Sequence, residues 1–331
     1  INSIKKVLLK IINIISFDLQ LALYMKTYFN SFFLALSLLI SCGGSKSDVN
    51  DSLMSGNVSQ TSNLNQGNTN IQGNNSSNQT NTSYSFNNEL VWSDEFDENS
   101  ISGAPAVSSD KWNIETVAPD NGSWYNGELQ YYKQENTTVA EGLATITVKE
   151  ESVGDYNYTS SRITTKDKFS FRYGKIEARI KTLDGKGFWP AFWLLPEGGE
   201  WPCDGEIDIM EQGHTGASSN VTTGAAHLGN CPYDAGQHQY VSDAATTTES
   251  FANDFHIYGI QWGPDFISWF VDDELVFQVS PEDYNSNYFW PFNDSQWYII
   301  LNLAITPNFP PNNQTVFPSE MQIDWVRVFS L

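Results

Sequence analysis

Positive charge is what this 331-residue chain has least of: 17 lysines and arginines stand against 39 aspartates and glutamates, for a net charge of −22. Such a surface repels polyanions, which sets nucleic acid and heavily sulfated polymers aside as partners. Cysteine is scarce as well, with three in all, Cys42, Cys203 and Cys231. No long run with a helical period competes with the short β-rich runs described below, and no internal repeat occurs. Residues 1–24 start at Ile1 and mix apolar side chains with Lys5, Lys6, Lys10 and Asp18, which makes them a poor membrane span.

Translation is expected to start at Met25. Lys26 supplies a positive first region, residues 32–40 an apolar core, and Leu39-Ile40-Ser41-Cys42 a small-residue cleavage site. Residues 25–41 thus resemble a bacterial lipoprotein signal peptide, with an ordinary signal peptide as the alternative. In the lipoprotein reading Cys42 becomes a lipidated N-terminus, and its acyl chains, at about 0.8 kcal/mol per buried CH₂, hold the protein on a membrane of the bacterial cell envelope. Residues 42–86 are dominated by Asn, Ser, Gln, Thr and Gly. They bury too little apolar surface to offset their ordering entropy, and a flexible tether is expected.

The remainder, 87–331, reads as one domain. Short β-rich runs recur at 89–92, 143–149, 159–165, 174–181, 221–228, 255–262, 266–271, 275–279, 296–303 and 322–329, separated by Gly, Asn, Asp and Pro. That pattern predicts an all-β sandwich or barrel. Asp272-Asp273 falls between two such runs and reads as a hairpin turn.

One stretch organises the domain: Gly205-Glu206-Ile207-Asp208-Ile209-Met210-Glu211. Its acids alternate with isoleucines, as in a strand with one buried face. Strict alternation would send Glu211 into the core, a costly place for a lone carboxylate. A β-bulge at Ile209-Met210 restores Glu211 to the face of Glu206 and Asp208. The two glutamates are then four regular steps apart, roughly 13 Å between Cα atoms at about 3.3 Å per step. Side chains leaning together approach the carboxyl separation of roughly 5 to 5.5 Å that retaining glycosidases use. A solvated acidic face or a calcium site are the alternatives. Upstream, Trp189, Trp193 and Trp201 lie in an aromatic-rich segment, and indole faces suit the C–H faces of sugar rings; core packing is the alternative for the first two.

The run Trp201-Pro202-Cys203-Asp204-Gly205-Glu206-Ile207-Asp208-Ile209-Met210-Glu211 resembles the signature of glycoside hydrolase family 16, in the bulged form typical of laminarinases. The likeness extends through Asn126-Gly127-Glu128-Leu129-Gln130-Tyr131-Tyr132, 169–181, 188–196, Phe255-His256-Ile257-Tyr258, Trp290-Pro291-Phe292-Asn293 and Ile323-Asp324-Trp325-Val326-Arg327-Val328. It implies a jelly-roll sandwich with a concave substrate cleft over about residues 88–331. It implies Glu206 as nucleophile, Glu211 as acid and base, and Asp208 between them. Trp189, Trp193 and Trp201 match the sugar platforms, Asn126, Glu128 and Arg162 match polar contacts near the scissile bond, and His227 matches a position beside the leaving-group side. Ser161 replaces the more usual Gly before Arg162, and residues 302–313 depart from the Gly-Gly-Asn-Trp-Pro-Gly pattern common in laminarinases.

No cofactor is expected for catalysis. The resemblance offers a structural calcium held by Glu95, Gly142 and Asp324, whose oxygens suit that ion. With Cys42 lipidated, Cys203 and Cys231 remain, to be joined in a disulfide or left as two thiols; zinc on these cysteines with His214 and His227 matches no standard spacing. His256, ahead of a strand, is read as structural. The expected partner is a neutral β-glucan, laminarin above all, with mixed-linkage glucan or a galactan as alternatives and a non-catalytic glycan-binding lipoprotein as the contrasting class. A monomer is expected.

Overall fold

The structure is a computed structural model that describes residues 89–97, 107–116, 124 and 126–331. The expected signal peptide, the expected lipidation site Cys42 and the expected tether lie outside the described residues. The strands are β1 (Leu90–Asp94), β2 (Asn113–Ile114), β3 (Gln130–Tyr132), β4 (Thr137–Ala140), β5 (Leu143–Val148), β6 (Tyr158–Ser160), β7 (Arg162–Thr164), β8 (Gly174–Lys181), β9 (Phe188–Pro196), β10 (Glu206–Glu211), β11 (Val221–Leu228), β12 (Gln239–Thr246), β13 (His256–Gly263), β14 (Phe266–Val271), β15 (Glu274–Val279), β16 (Trp297–Ile305) and β17 (Ser319–Phe329).

Two antiparallel sheets hold nearly all of them. One runs β15-β14-β13-β8-β17-β5-β4 with β1 added on β17, and the other runs β12-β11-β10-β9-β16-β7-β2. Their facing sides form the core: Ile176, Ile180, Ile260 and Val326 from the first meet Phe192, Leu194, Ile207 and Leu301 from the second. Alternation explains which side chains go there. In β9 the sequence Phe188-Trp189-Pro190-Ala191-Phe192-Trp193-Leu194 turns Phe188, Phe192 and Leu194 inward, and Trp189 and Trp193 remain half-buried on the opposite face. Residues Asp272 and Asp273 both take positive φ, 51° and 65°, in the β14–β15 hairpin, the turn whose twist matches antiparallel strands. Asp272 Oδ1 accepts the Ile257 N–H at 2.8 Å and its other oxygen lies 2.6 Å from His256 Nδ1, so His256 has a structural partner.

The bulge is present in β10. Against β9 the register jumps between Asp208 and Met210, and against β11 between Asp208 and Glu211. Both Ile209 and Met210 are absorbed by the core, so the extra residue costs no exposed apolar surface. Opposite the bulge stands Gly224. A Cβ there would lie 2.4 Å from the Trp269 ring, and the Trp269 indole N–H reaches across from the other sheet to donate to Asp208 O at 2.7 Å. The missing side chain thus admits the ring that secures the backbone beside the bulge.

Gly224→Ala is therefore expected to destabilise the protein by about 1–3 kcal/mol through overpacking and to lower turnover along with stability, measured by denaturant unfolding and an activity assay. Wild-type stability in that variant would show that Trp269 does not brace β10.

Candidate active site

Cross-strand pairing decides which side chains share the outer face of the second sheet. Glu206 pairs with His227, Asp208 with Trp193 on one side and Ala225 on the other, and Glu211 with Ala191 and Thr223. The three acids therefore stand in one file down β10. Asp208 is the most deeply placed, 4% exposed, while Glu206 and Glu211 retain partial access to solvent.

Three carboxyl groups this close cannot all ionise cheaply. Burial, and then the Asp208 charge, push the Glu206 carboxyl up to about 8, with His227 and Arg162 pulling the other way. Burial and then Glu211 raise Asp208 well above the usual range, and a hydrogen bond joins it to Glu206. Both acids therefore favour the protonated form at neutral pH, and their titration belongs to the pair rather than to either acid. His227 Nε2 is 3.0 Å from Asp208 Oδ2, in close contact but out of line for a hydrogen bond.

Glu211 has a separate setting. The Trp189 indole N–H donates to its Oε1 at 2.8 Å, and His214 Nε2 lies 3.9 Å from its Oε2. The Trp189 and His214 rings stack with centroids 5.4 Å apart. Trp189 thus does two things, presenting a ring to the outer face and holding the carboxyl of Glu211.

Trp193 is also engaged through its indole edge and ring. Its indole N–H donates to Asn302 Oδ1 at 2.7 Å, and the Arg162 guanidinium sits 4.7 Å from its ring centroid and 5.0 Å from that of Trp124. Arg162, 7% exposed, is held in turn by Glu115. The network continues as Asn302 Nδ2 donates to the Tyr132 hydroxyl, and that hydroxyl and Gln130 Nε2 both donate to Glu128 Oε2. Glu128 and Arg162 therefore belong to one network of hydrogen bonds and ring contacts that includes Trp193, the cross-strand neighbour of Asp208. Asn126 is exposed, on the turn before Glu128.

His227 lies across from Glu206 on β11, and His214 stands beside Glu211. Trp201 does stand exposed, at 38%, and packs on Tyr233 and His238 with centroids 5.0 and 4.9 Å away. Cys203 and Cys231 are joined in a disulfide with their Cα atoms 5.5 Å apart, so neither is a zinc ligand. Closing a loop over a separation of 28 residues stabilises by about 3–4 kcal/mol in the chain-entropy account. It ties the Trp201 loop to the one that carries Tyr233 and His238. His214, His238 and Tyr240 carried no motif that would have marked them.

The calcium set does not fit through its side chains. Both Glu95 oxygens accept from Arg327, at 2.9 and 2.7 Å, and Asp324 Oδ2 accepts from Arg179 at 2.6 Å. The Arg327 hydrogen bond holds the Glu95 carboxyl below its usual range. Gly142 sits near the Asp97 carboxylate, and the three expected residues offer well short of the six to eight oxygens that calcium takes. Two arginines supply the positive charge there.

Comparison with known proteins agrees with this geometry. The profile of glycosyl hydrolases family 16 matches residues 124–327. A second profile, of the beta-glucan synthesis-associated proteins SKN1/KRE6/Sbg1, matches residues 8–200 and stops before the acid strand. The chain is 36% identical to a beta-glucanase of Rhodothermus marinus over 256 residues, 73% of this chain and 85% of that protein. It is 34% identical to glucan endo-1,3-beta-glucosidase A1 of Niallia circulans over 72% of this chain, and spans 37% of that longer relative. Among solved structures, the laminarinase catalytic domain of Thermotoga maritima is 38% identical and superposes with a TM-score of 0.65, covering 73% of this chain and 98% of that domain.

The raised Glu206 value has a consequence for stability. Below pH 4.5 the carboxyl is protonated folded and unfolded alike; between 4.5 and about 8 the unfolded chain has lost a proton that the fold keeps, so stability falls with pH across that window. Glu206→Gln is expected to stabilise the protein by about 1 kcal/mol or more at pH 8 and by little at pH 4, less than the full shift implies because water at the outer face screens the group. Thermal unfolding at the two pH values checks this, and equal effects at both would contradict it.

Proposed function

This chain belongs to glycosyl hydrolase family 16, and on that premise we propose that it is a retaining, endo-acting hydrolase of β-1,3-glucan. That it is a glycoside hydrolase follows from the family and from the beta-glucanase and laminarinase relatives. The observation that carries the finer reading is the bulge, which brings Glu206 and Glu211 onto one face with Asp208 between them. All three of the relatives compared above carry glucanase, glucosidase or laminarinase names, and the aromatic, acidic outer face suits an uncharged glucan.

In the mechanism we infer, Glu206 attacks the anomeric carbon while Glu211 gives its proton to the departing glycosidic oxygen, so that a glycosyl ester forms as the C–O bond breaks. Water then enters. Glu211 takes its proton, the water oxygen bonds to the anomeric carbon, and the ester to Glu206 breaks with retained configuration. Asp208, joined to Glu206 by a hydrogen bond, fixes the direction of the nucleophile's carboxyl. Trp189 fixes the direction of the Glu211 carboxyl, and Arg162, stacked on Trp193, offsets part of the negative charge beneath the acids. The sandwich presents an open sheet face, which admits a chain along its length and favours internal cuts.

The cell-envelope location is likewise a proposal, supported by the lipoprotein-like run ending at Cys42. Cys42→Ala should release the protein from membranes with activity intact; continued association after washing would place the anchor elsewhere.

Glu206→Gln and Glu211→Gln should each lower turnover by several orders of magnitude with the fold preserved, because each removes one half of the double displacement. Assayed by reducing ends and product size on laminarin, lichenan, agarose and carrageenan, the wild type should cut laminarin fastest into a ladder of oligosaccharides. Cleavage of a galactan with neither glucan touched would overturn the substrate, and near wild-type rates in either variant would overturn the roles.

A further inference from the structure

At the Glu206 end of the acid strand, two carboxylates and an imidazole converge. One oxygen of Glu206, one oxygen of Asp208 and one ring nitrogen of His227 all lie within 4.8 Å of one another. Glu206 and His227 are cross-strand partners on β10 and β11, and Asp208 follows two residues later on the face of Glu206. Asp208 is 4% exposed, and its Oδ2 is buried without a hydrogen-bond partner, a costly state for a carboxylate oxygen. That oxygen is aimed at His227 Nε2, 3.0 Å away. Two ligands of one tetrahedral ion, each about 2.0–2.1 Å from it, lie roughly 3.3 Å apart. The contact, too poorly aligned for a hydrogen bond, thus has close to the spacing of two donors that share a third atom.

His227 is held from behind. Its Nδ1 lies 3.0 Å from His238 Nε2, so one of these nitrogens donates to the other. With the proton on Nδ1, the lone pair of His227 Nε2 faces Asp208, and the ring is oriented through its other nitrogen as metal-binding imidazoles are. The His227 ring also stacks on those of His238 and Tyr240, with centroids 5.1 and 5.2 Å away. The donor set sorts the ion. One imidazole and two carboxylates, with a position open to solvent beside the partly exposed Glu206, suit zinc, whereas calcium takes six to eight oxygens and magnesium an octahedron of them. A net charge of −22 draws cations to such a place.

We propose that Glu206, Asp208 and His227 form a site for a zinc-type divalent cation, which occupies the acid strand in place of substrate and switches the enzyme off. Bound there, the ion takes the electron pair of Glu206 that attack on the anomeric carbon needs, so metal and sugar compete for one carboxylate. His238 is a positioning residue, acting on the ion only through His227. Its ring packs on Trp201, 4.9 Å between centroids, and the disulfide Cys203–Cys231 ties the two loops that bear them, so the imidazole pair is preorganised. Competition with glucan rests on the β-1,3-glucanase reading; the binding of the ion does not.

The test is calorimetric titration of zinc chloride into the full-length protein, stripped with EDTA and dialysed, for wild type, Asp208→Asn, His227→Gln and His238→Ala. The wild type should bind one zinc ion per chain at a saturable site. Asp208→Asn and His227→Gln should abolish that site, and His238→Ala, which leaves all three ligands in place, should weaken it about tenfold to a hundredfold. Thermal unfolding in EDTA shows that each variant is folded, and zinc should raise the midpoint of the wild type and not that of His227→Gln. On laminarin, zinc should raise KM with kcat unchanged, and EDTA should reverse the effect. No zinc binding by the wild type in the millimolar range, undiminished binding in the folded variants, or equal binding of calcium at the same site would overturn the proposal. Zinc inhibition that lowers kcat and leaves KM alone would overturn the competition. A wild type that binds zinc through these residues yet cuts no β-1,3-glucan sinks the substrate reading and leaves the site standing.

Discussion

A single extra residue in β10 decides where Glu211 points, and most of the site follows from it. Without the bulge the sheet's period of two would bury Glu211 and leave Glu206 and Asp208 alone on the outer face. The insertion is tolerated because Ile209 and Met210 are both apolar and both find places in the core. Gly224 completes the arrangement from β11, since only a residue without a Cβ leaves room for Trp269, whose indole holds the Asp208 carbonyl. Catalytic geometry here is a packing problem solved on the hidden side of the sheet.

The second constraint is electrostatic. Lining up three carboxyls in a partly dry setting raises Glu206 and Asp208 together, which costs stability as pH rises. The surroundings limit that cost without removing it. Arg162 is clamped between two tryptophan rings and paired with Glu115, so it supplies charge without reaching into the space above the acids. Glu211 is isolated from the pair by its own partners, Trp189 and His214. Two environments on one strand give two carboxylates different work.

Much of this was legible before any coordinates. The alternation broken at Ile209-Met210 called for the bulge, the β-rich runs marked the central strands, and Asp272-Asp273 marked a hairpin. Edge strand β12 was not legible: Gln239-Tyr240-Val241-Ser242-Asp243-Ala244-Ala245-Thr246 is polar and largely exposed, so it lacks the apolar alternation that burial imposes. The run 159–165 reads as one strand, yet it is split at Ser161 into β6 and β7, which belong to different sheets. Long-range partners were hidden for the same reason. Nothing local ties Arg162 to Trp193, Glu95 to Arg327, or His238 to His227, because those pairs exist only once the sheets are assembled.

The account stands on Glu206 forming the covalent bond to sugar. Incubation with an activated 2-deoxy-2-fluoro β-1,3-glucan oligosaccharide, which slows the second displacement, followed by peptide mass spectrometry, measures this directly. Retaining chemistry requires a glycosyl ester on the peptide that carries Glu206, at the Glu206 side chain. An ester on Glu211 or Asp208, or turnover of the reagent with no adduct formed at any stage, would contradict it.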